Sequence, residues 1–234
     1  MSELDLSFVF PTYNEAGNVT KLIKSVQSIV SAQKIIYEIV IVDDNSPDKT
    51  ADVVQKGFGK DPTVKLVVRT TEKGFASAIL SGIKASSGRY IITFDTDQTS
   101  NLEFISQMID KLTTFDLVIA SRFIKGGGSE LKDRYIISLL YNKFLNLLGY
   151  PSTDATSCFY AVRKDKLEQL PLEKIYQGYG EYFFRFLKAA KDHNFSITEV
   201  PVVYPKREYG ESKTSWKHLF IYTYQALKIR FTNF

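Results

Sequence analysis

The chain has 234 residues, of which 44% are hydrophobic and 24% charged, a composition typical of a folded domain with a sizeable core that excludes a disordered tail. Its one cysteine, Cys158, excludes an internal disulfide scaffold and favours a reducing, intracellular compartment. The sequence contains neither an uninterrupted apolar stretch of about 18 residues nor a signal-peptide pattern. We therefore expect no membrane-spanning helix.

The net charge of +4 is unevenly distributed along the chain. Residues 1–120 contain 12 Lys and Arg against 15 Asp and Glu, whereas residues 121–234 contain 18 against 11. A basic half attracts anions such as phosphate groups or an anionic lipid surface. Because its cations are dispersed among apolar residues and form no stripe with stacking aromatics, we expect no nucleic acid partner.

The first half alternates short β-rich runs with helical stretches, which predicts an α/β fold with a parallel sheet and crossover helices. The predicted strands cover residues 6–10, 38–42, 64–68, 90–94 and 117–120. The predicted helices cover residues 16–31, 47–56, 74–85 and 102–111. For the second helix, Ser46 is the predicted N-cap and Pro47 the first helical residue.

The second half has a different pattern, which begins after the glycines at 126–128. It predicts in turn an apolar helix, a strand, a helix, a strand and a last helix, over residues 134–148, 159–163, 180–193, 198–203 and from 216 onwards. No repeat or polar linker separates the halves, so we predict a single domain over residues 1–234.

Polar side chains follow three of the predicted strands. They lie at residues 12–15, at Asp43 and Asp44, and at Asp95 and Asp97. Each cluster alone has a simple alternative as a turn or a helix cap. Ligands of open parallel sheets bind at the carboxyl ends of the strands, however, so the three clusters together predict one crevice. Paired carboxylates there favour a hard divalent ion, Mg²⁺ or Mn²⁺, which usually also contacts substrate phosphates.

Short motifs extend this pattern along nearly the whole chain. They are Pro11-Thr12-Tyr13-Asn14-Glu15, Val42-Asp43-Asp44-Asn45-Ser46-Pro47-Asp48, the segment from Lys73-Gly74 to Gly82, Asp95-Thr96-Asp97, Ser121-Arg122-Phe123, Glu199-Val200-Pro201-Val202 and Arg207-Glu208-Tyr209-Gly210-Glu211-Ser212-Lys213. In this order they resemble the family 2 glycosyltransferases, most closely the dolichyl-phosphate mannose synthase and polyprenyl-phosphate glycosyltransferase group. The resemblance implies a GT-A fold, with a Rossmann-like, mostly parallel sheet flanked by helices.

The resemblance also implies roles for individual residues. The residues implied to bind the nucleotide sugar are Pro11, Tyr13, Glu15, Asp43 and Asp44. The residues implied to bind phosphates are Arg122, Arg134, Ser138, Arg207 and Lys213. Asp95 and Asp97 are implied to hold the donor diphosphate through the metal. Thr99 stands where the group has a glutamine ligand, so we expect Gln98 or water to complete the metal site.

Two further features of the second half bear on the site. Arg134, Ser138 and Asn142 recur every fourth residue and share one edge of an apolar helix, where we expect them to bind the acceptor phosphate together with the 207–213 loop. A solvent-facing polar edge is the alternative. Cys158 replaces a glycine of the group, at a position where glycine permits a close backbone approach.

The implied reaction is the inverting transfer of a hexose, first of all mannose from GDP-mannose, to a polyprenyl or dolichyl phosphate. A phosphate monoester is already largely a dianion at neutral pH and needs no strong base, so Asp154 is expected to orient the acceptor, to act as a base or to stabilise a turn. The alternatives are a UDP-glucose donor, a soluble family 2 enzyme that uses Asp154 or Glu181 as base towards a saccharide hydroxyl, and a non-catalytic nucleotide-sugar binding module.

The last predicted helix, over residues 216–231, carries an apolar stripe. Its members are Trp216, Leu219, Phe220, Tyr224, Leu227 and Phe231. Packing in the core is one explanation. Our hypothesis is that this amphipathic helix and the 134–148 helix lie on a membrane, which would make the chain a peripheral protein on its cytoplasmic face. A membrane-anchoring partner subunit is compatible with this arrangement.

Overall fold

A computed structural model describes residues 5–31, 35–96, 102–130, 132–204 and 216–232, with the backbone alone for residues 132–134 and 216–219. The strands in these ranges are β1 Leu6–Thr12, β2 Tyr37–Asp43, β3 Val64–Val68, β4 Tyr90–Thr93, β5 Leu117–Ser121, β6 Gly128–Ser129, β7 Tyr160–Arg163, β8 Ile197–Pro201 and β9 Val203–Tyr204. The helices are α1 Val19–Ser31, α2 Thr50–Phe58, α3 Phe75–Ala85, α4 Phe104–Leu112, α5 Lys132–Leu147, α6 Lys164–Leu167, α7 Leu172–Ile175, α8 Tyr182–Asp192 and α9 Trp216–Arg230.

The main sheet of the described residues has seven strands in the order β3-β2-β1-β4-β7-β5-β8. Strand β7 runs antiparallel to both of its neighbours, and the other pairings are parallel. A separate parallel pair joins β6 to β9. The predicted α/β fold with a mostly parallel sheet is therefore confirmed.

Helices cover both faces of the sheet. Because successive side chains of a strand point to opposite faces, each strand contributes to two cores. In β1, Phe8 and Phe10 belong to the core under α1, α2 and α4, whereas Val9 belongs to the core under α3 and α8. Parts of α5 and α9 complete this second core, through Leu145 and Ile229 among others. The central strands are buried on both sides, which accounts for their nearly continuous apolar runs.

The direction of chain progression reverses between β1 and β4. The connections from β1 to β2 and from β2 to β3 extend the sheet one way, and β4 then pairs with the opposite side of β1. At such a switch point the adjoining loops diverge and leave a crevice at the carboxyl ends of the strands. The loop after β1 and Asp95 after β4 border this crevice.

Most predicted boundaries lie within three residues of those observed, and β3 has the predicted bounds. The strand predicted over residues 198–203 is instead divided into β8 and β9. Pro201 is the last residue of β8 that pairs with β5. Beyond it, the Val202 carbonyl accepts a hydrogen bond from the Gly128 amide at 3.0 Å, so the chain moves to a different partner strand.

The predicted start of α2 is wrong, because the helix begins at Thr50 and neither Ser46 nor Pro47 is part of it. The Ser46 hydroxyl donates to the Asp43 carboxylate at 2.6 Å instead of capping the helix. Asp48 caps the first turn by accepting hydrogen bonds from the Thr50 amide at 3.0 Å and the Thr50 hydroxyl at 2.6 Å.

Gly82 brings α3 against the sheet. A Cβ atom at this position would lie 2.3 Å from Val9 Cγ1 and 3.0 Å from Val42 Cγ2. Both valines are fully buried in a close-packed core, so their side chains have no room to move away from an added methyl group. The absence of a side chain at Gly82 therefore sets the distance between α3 and strands β1 and β2.

We expect Gly82→Ala to lower the free energy of unfolding by about 1–2 kcal/mol, since overpacking outweighs the gain in helix propensity. Urea denaturation measures this change. Gly57→Ala in α2 is the matched control, because open space surrounds that position and the substitution should be neutral or stabilising by up to about 1 kcal/mol. A Gly82→Ala protein as stable as the wild type would contradict this packing.

Candidate active site

The Asp43 carboxylate joins the carboxyl ends of β1 and β2. It is buried and accepts hydrogen bonds from the Thr12 hydroxyl at 3.1 Å, the Ser46 hydroxyl at 2.6 Å and the Ser46 amide at 2.9 Å. Ser46 in turn accepts a hydrogen bond from the Asn14 amide at 3.0 Å. Asp43 therefore fixes the loop that follows β1 by charge-assisted hydrogen bonds.

Asp44 and Arg69 form a buried ion pair beside this loop. Arg69 Nε donates to Asp44 Oδ1 at 2.6 Å, and the Gly74 amide donates to Asp44 Oδ2 at 2.8 Å. Arg69 also donates to the Gly74 carbonyl at 3.0 Å and to Ser77 Oγ at 3.0 Å. Gly74 has φ +141°, which L side chains rarely adopt. The pair thus clamps the loop between β3 and α3, and sequence reasoning missed Arg69.

The clamped loop carries Lys73 to the mouth of the crevice. Lys73 Nζ lies 5.6 Å from the centre of the exposed Tyr13 ring. Pro11 and Glu15 are partly exposed next to Tyr13, and Glu15 Oε2 accepts a hydrogen bond from Asn18 Nδ2 at 2.9 Å. An exposed aromatic face and a cation suit a planar base and a phosphate, respectively.

Arg122 and Asp154 form a second buried ion pair, which connects the end of β5 to the loop before β7. Arg122 Nε donates to Asp154 Oδ2 at 2.7 Å and Nη2 donates to Oδ1 at 2.8 Å, in the bidentate geometry of a strong pair. The Arg122 amide also donates to Oδ2 at 3.1 Å. The guanidinium carbon lies 4.5 Å from the centre of the Tyr204 ring. Asp154 is therefore an orienting group for Arg122 rather than an accessible base.

The surroundings keep Arg122 cationic. Burial alone would lower the pKa of the guanidinium, but Asp154 raises it above its ordinary value. The charge of Asp95 also contributes to the raised pKa, so the end of β4 and the end of β5 share one electrostatic environment. Asp154 thus contacts Arg122 directly and the charge of Asp95 acts on it, so three residues predicted from sequence interact.

Asn142 and Ser138 on α5 stand next to this pair, but in an arrangement that the sequence did not predict. Asn142 is buried, which contradicts the solvent-facing alternative for this residue. Its Nδ2 atom donates to the Ser138 carbonyl at 2.9 Å and to Thr156 Oγ1 at 2.9 Å. Arg122 Nη2 also donates to Thr156 Oγ1 at 2.9 Å. Thr156 had no signal in the sequence because its role depends on contacts between distant segments.

The loop that carries Asp154 and Thr156 is held to the sheet by Glu199. Glu199 accepts hydrogen bonds from Ser152 Oγ at 2.7 Å, the Thr153 amide at 2.8 Å and Thr153 Oγ1 at 2.8 Å. Thr153 Oγ1 also lies 2.7 Å from Ser121 Oγ. The Glu199 motif identified in the sequence therefore anchors the loop to both β5 and β8.

Asp95 lies partly buried at the end of β4 and offers carboxylate oxygens of the kind that Mg²⁺ and Mn²⁺ take. The other expected metal residues, Asp97 and Gln98, lie outside the described residues. In the part of the chain that the structure describes, no three His, Cys, Asp or Glu side chains come close enough together to hold a metal ion. Arg207, Lys213 and the Arg134 side chain also lie outside that part.

Cys158 has φ +56°, in the left-handed region that glycine adopts without strain. The structure thus accounts for a glycine at this position in the group that the chain resembles. Burial raises the pKa of the Cys158 thiol, and the nearby Asp95 carboxylate raises it further. The thiol is therefore neutral and a poor nucleophile.

Two helices of the second half expose large apolar side chains. We call this set the apolar face, and its members are Ile136, Ile137, Leu140 and Leu147 on α5, Phe220, Ile221, Tyr224 and Leu227 on α9, and Phe231 directly after α9. Helix α9 packs inward through Ala226 and Ile229, and the Tyr150 hydroxyl donates to the Ala226 carbonyl at 2.8 Å. Core packing is therefore the wrong explanation for the described members of the predicted stripe. Within the described ranges, no helix combines the length and hydropathy needed to cross a bilayer.

The chain is similar to known proteins in sequence. The model of the family described as Glycosyl transferase family 2 matches residues 7–170. A dolichol-phosphate mannosyltransferase of Pyrococcus furiosus is 33% identical over 227 residues, which cover 94% of this chain but 62% of the relative. An undecaprenyl-phosphate mannosyltransferase of Micrococcus luteus is 32% identical over 219 residues, which cover 88% of this chain and 86% of the relative. The chain thus spans less than two thirds of the length of the Pyrococcus relative.

Solved structures show the same fold at lower identity. Glucosyl-3-phosphoglycerate synthase of Mycobacterium tuberculosis with Mn²⁺, UDP and phosphoglyceric acid has a TM-score of 0.73 and 17% identity, over 98% of this chain and 80% of that one. The same enzyme with Mg²⁺ and UDP has a TM-score of 0.71 and 18% identity, over 96% of this chain and 77% of that one. The fold is of the GT-A type, and the chain belongs to glycosyltransferase family 2.

Proposed function

We propose that the protein transfers a hexose, with inversion, from a nucleoside diphosphate to a polyprenyl or dolichyl phosphate at a membrane surface. The observation that carries the proposal is the buried Arg122–Asp154 pair, which presents a permanent cation beside Asp95 and beside helix α5 of the apolar face. The names of the Pyrococcus and Micrococcus relatives support a polyprenyl-type phosphate acceptor and mannose as the sugar. GDP-mannose is the donor we propose first, and UDP-glucose is the alternative.

In this proposal each half of the single domain binds one of the two substrates. Residues 1–120 bind the nucleotide sugar, with the base near Tyr13 and the phosphates near Lys73. Residues 121–234 bind the acceptor phosphate through Arg122, with Arg134, Arg207 and Lys213 as further cations. The basic balance of the second half supports this division, because two anionic groups must approach each other before transfer.

Asp95, Asp97 and Gln98 would hold a Mg²⁺ or Mn²⁺ ion, which supplies positive charge to the departing diphosphate. Arg122 orients the acceptor phosphate and stabilises its charge near that of the donor. The acceptor dianion is itself the nucleophile, so no residue has to remove a proton. Asp154 then keeps the guanidinium in one orientation throughout the reaction.

Transfer to a saccharide hydroxyl would need a carboxylate that can accept a proton. Both oxygens of Asp154 are occupied by Arg122. Glu181 Oε2 accepts a hydrogen bond from the Tyr179 amide at 3.1 Å, within its own loop. The contacts of Asp154 disfavour it as the base of a soluble saccharide transferase, and they favour an acceptor that needs no base.

The apolar face supports peripheral binding to the membrane that contains the lipid acceptor. Phe220 and Phe231 are 77% and 83% exposed, and such residues gain free energy when they enter the interface. We propose that α5 and α9 rest on the cytoplasmic face of the membrane. An anchoring partner subunit would be an additional attachment.

We expect the protein to transfer mannose from GDP-mannose to a polyprenyl phosphate in the presence of Mg²⁺ or Mn²⁺, and EDTA should abolish the reaction. Turnover is measured with radiolabelled GDP-mannose and UDP-glucose, each against polyprenyl phosphate and against free mannose and glucose. Transfer to a free sugar but not to the lipid phosphate would contradict the proposal. Nucleotide-sugar binding without any transfer would make the chain a binding module.

We expect Lys73→Ala to weaken nucleotide-sugar binding about tenfold, because a cation at the mouth of the crevice is lost while the fold is unaffected. Isothermal titration calorimetry measures the dissociation constant. Lys111→Ala is the matched control, since Lys111 Nζ lies over an aromatic ring in the same way, 6.0 Å from the centre of Phe115, on the remote helix α4. Equal effects of the two variants would exclude a donor phosphate near Lys73.

We expect Leu140→Glu with Phe220→Glu to reduce sedimentation with anionic liposomes at low salt by tenfold or more, since each side chain contributes about 1.5–3 kcal/mol when it is buried. The control is Ile36→Glu, an exposed apolar residue on the loop before β2. A wild-type protein that stays in the supernatant would contradict membrane binding. So would an Ile36→Glu protein that loses sedimentation as fully as the double variant.

A further inference from the structure

Thr156 Oγ1 is the meeting point of the Arg122–Asp154 pair and helix α5. It accepts hydrogen bonds from Arg122 Nη2 at 2.9 Å and Asn142 Nδ2 at 2.9 Å, and it donates to Asp154 Oδ1 at 3.1 Å. A hydroxyl group has one proton to donate and two lone pairs to accept with. All three positions are used, so the orientation of the Thr156 side chain is fully determined.

Asp154 and Thr156 together fix the orientation of the guanidinium group. Two nitrogens of Arg122, Nε and Nη2, are held by Asp154, and Nη2 is shared with Thr156. The Tyr204 ring lies against one face of the group. The remaining nitrogen, Nη1, takes no part in these contacts, and its direction is set by them. In the proposed function, Nη1 is the nitrogen that meets a phosphate oxygen.

Asn142 extends the connection to the apolar face. Its side chain is buried on one side of α5, whereas Ile136, Ile137 and Leu140 are exposed on other sides of the same helix. The Asn142 Nδ2 atom holds both the Ser138 carbonyl of its own helix and Thr156, and its Oδ1 atom has no hydrogen-bond partner among the described residues. Asn142 therefore ties the position of α5 to Thr156 by its amide nitrogen alone.

We propose that Thr156 is a positioning residue for transfer to the acceptor phosphate. The Asn142–Thr156 hydrogen bond couples the position of α5 to the orientation of Arg122. The inference rests on the proposed function. It adds that the cation is held in its reactive orientation from the lipid-facing helix as well as from Asp154. Removal of the hydroxyl leaves the bidentate ion pair but breaks its link to α5, so that the pair and the helix can shift relative to each other, which lowers the rate without weakening donor binding.

The test compares Thr156→Val with Thr156→Ser and Asn142→Leu, in the whole 234-residue chain, with GDP-mannose and polyprenyl phosphate in phosphatidylglycerol vesicles. We expect Thr156→Val to lower kcat at least tenfold, because hydrogen bonds to charged groups are among the stronger ones, while the dissociation constant of GDP-mannose changes less than twofold. Thr156→Ser should restore most of kcat. Asn142→Leu should also lower kcat, and the double variant should lose no more than Thr156→Val alone.

Thr63→Val is the matched control for stability. Thr63 Oγ1 donates to Asp61 Oδ1 at 2.7 Å, so it bonds the carboxylate two residues earlier as Thr156 does, but it lies before β3 and away from the crevice. Thermal denaturation should show comparable losses for Thr63→Val and Thr156→Val, with kcat lowered only in the latter.

The outcomes separate the inference from the proposed function. A wild-type protein that transfers no sugar to polyprenyl phosphate overturns both. An active wild type with normal kcat in Thr156→Val overturns the inference alone, as does failure of Thr156→Ser to restore kcat. Strictly additive effects of Thr156→Val and Asn142→Leu would overturn the coupling to α5.

Discussion

The Arg122–Asp154 ion pair connects four separate parts of the second half. Taking two charges out of water costs several kcal/mol per ion, and the loss is recovered only if every oxygen and nitrogen finds a well-placed partner. Asp154 is 0% exposed and the Arg122 side chain 14% exposed, so this condition applies here. The end of β5, the loop before β7, Tyr204 on β9 and Asn142 on α5 are all ordered around the pair. A pair of this kind specifies one arrangement of the loops more strongly than it adds to stability.

Two acidic residues at the strand ends, Asp43 and Asp44, accept hydrogen bonds from the protein itself. The Asp43 carboxylate accepts hydrogen bonds from Ser46, and the Asp44 carboxylate accepts them from Arg69 and Gly74. Both carboxylates are buried, and their charges hold the loops that border the crevice. The charge of Asp95, after β4, raises the pKa of Arg122, after β5. Carboxylates that cluster in a sequence can thus order the loops around a crevice.

The elements of this fold were predictable because strand and helix periods are local properties. Residues 64–68 have the predicted bounds, and the alternation of β and α runs yields the sheet. The start of α2 was not predictable from Ser46, since the hydroxyl that suits an N-cap bonds the Asp43 carboxylate instead. Whether a hydroxyl caps a helix depends on the other acceptors within its reach, and here Asp43 at the end of β2 is such an acceptor.

The site was predictable in its charges and not in its connections. Asp95 and Arg122 were named from motifs and Asp154 as a candidate orienting group or base; in the structure Asp154 pairs with Arg122, and the charge of Asp95 acts on the same guanidinium. Thr156 and Arg69 act through contacts 34 and 25 residues distant in the chain, which no local pattern encodes. Their identity as ordinary threonine and arginine residues gives no signal until the loops are folded.

The acceptor that we propose is an amphiphile, and this makes two demands on the same region of the protein. Its phosphate needs a fixed cation in a crevice that excludes water, whereas its isoprenoid chain stays in the membrane. A helix that exposes Ile136, Ile137 and Leu140 on some sides and buries Asn142 against the ion pair on another can meet both demands at once. Because the head group and the tail are covalently joined, the distance between the cation and the lipid surface must be held constant. In the proposed function, a rigid helix hydrogen-bonded to the site holds that distance better than a loop would, and the buried amide of Asn142 makes that hydrogen bond.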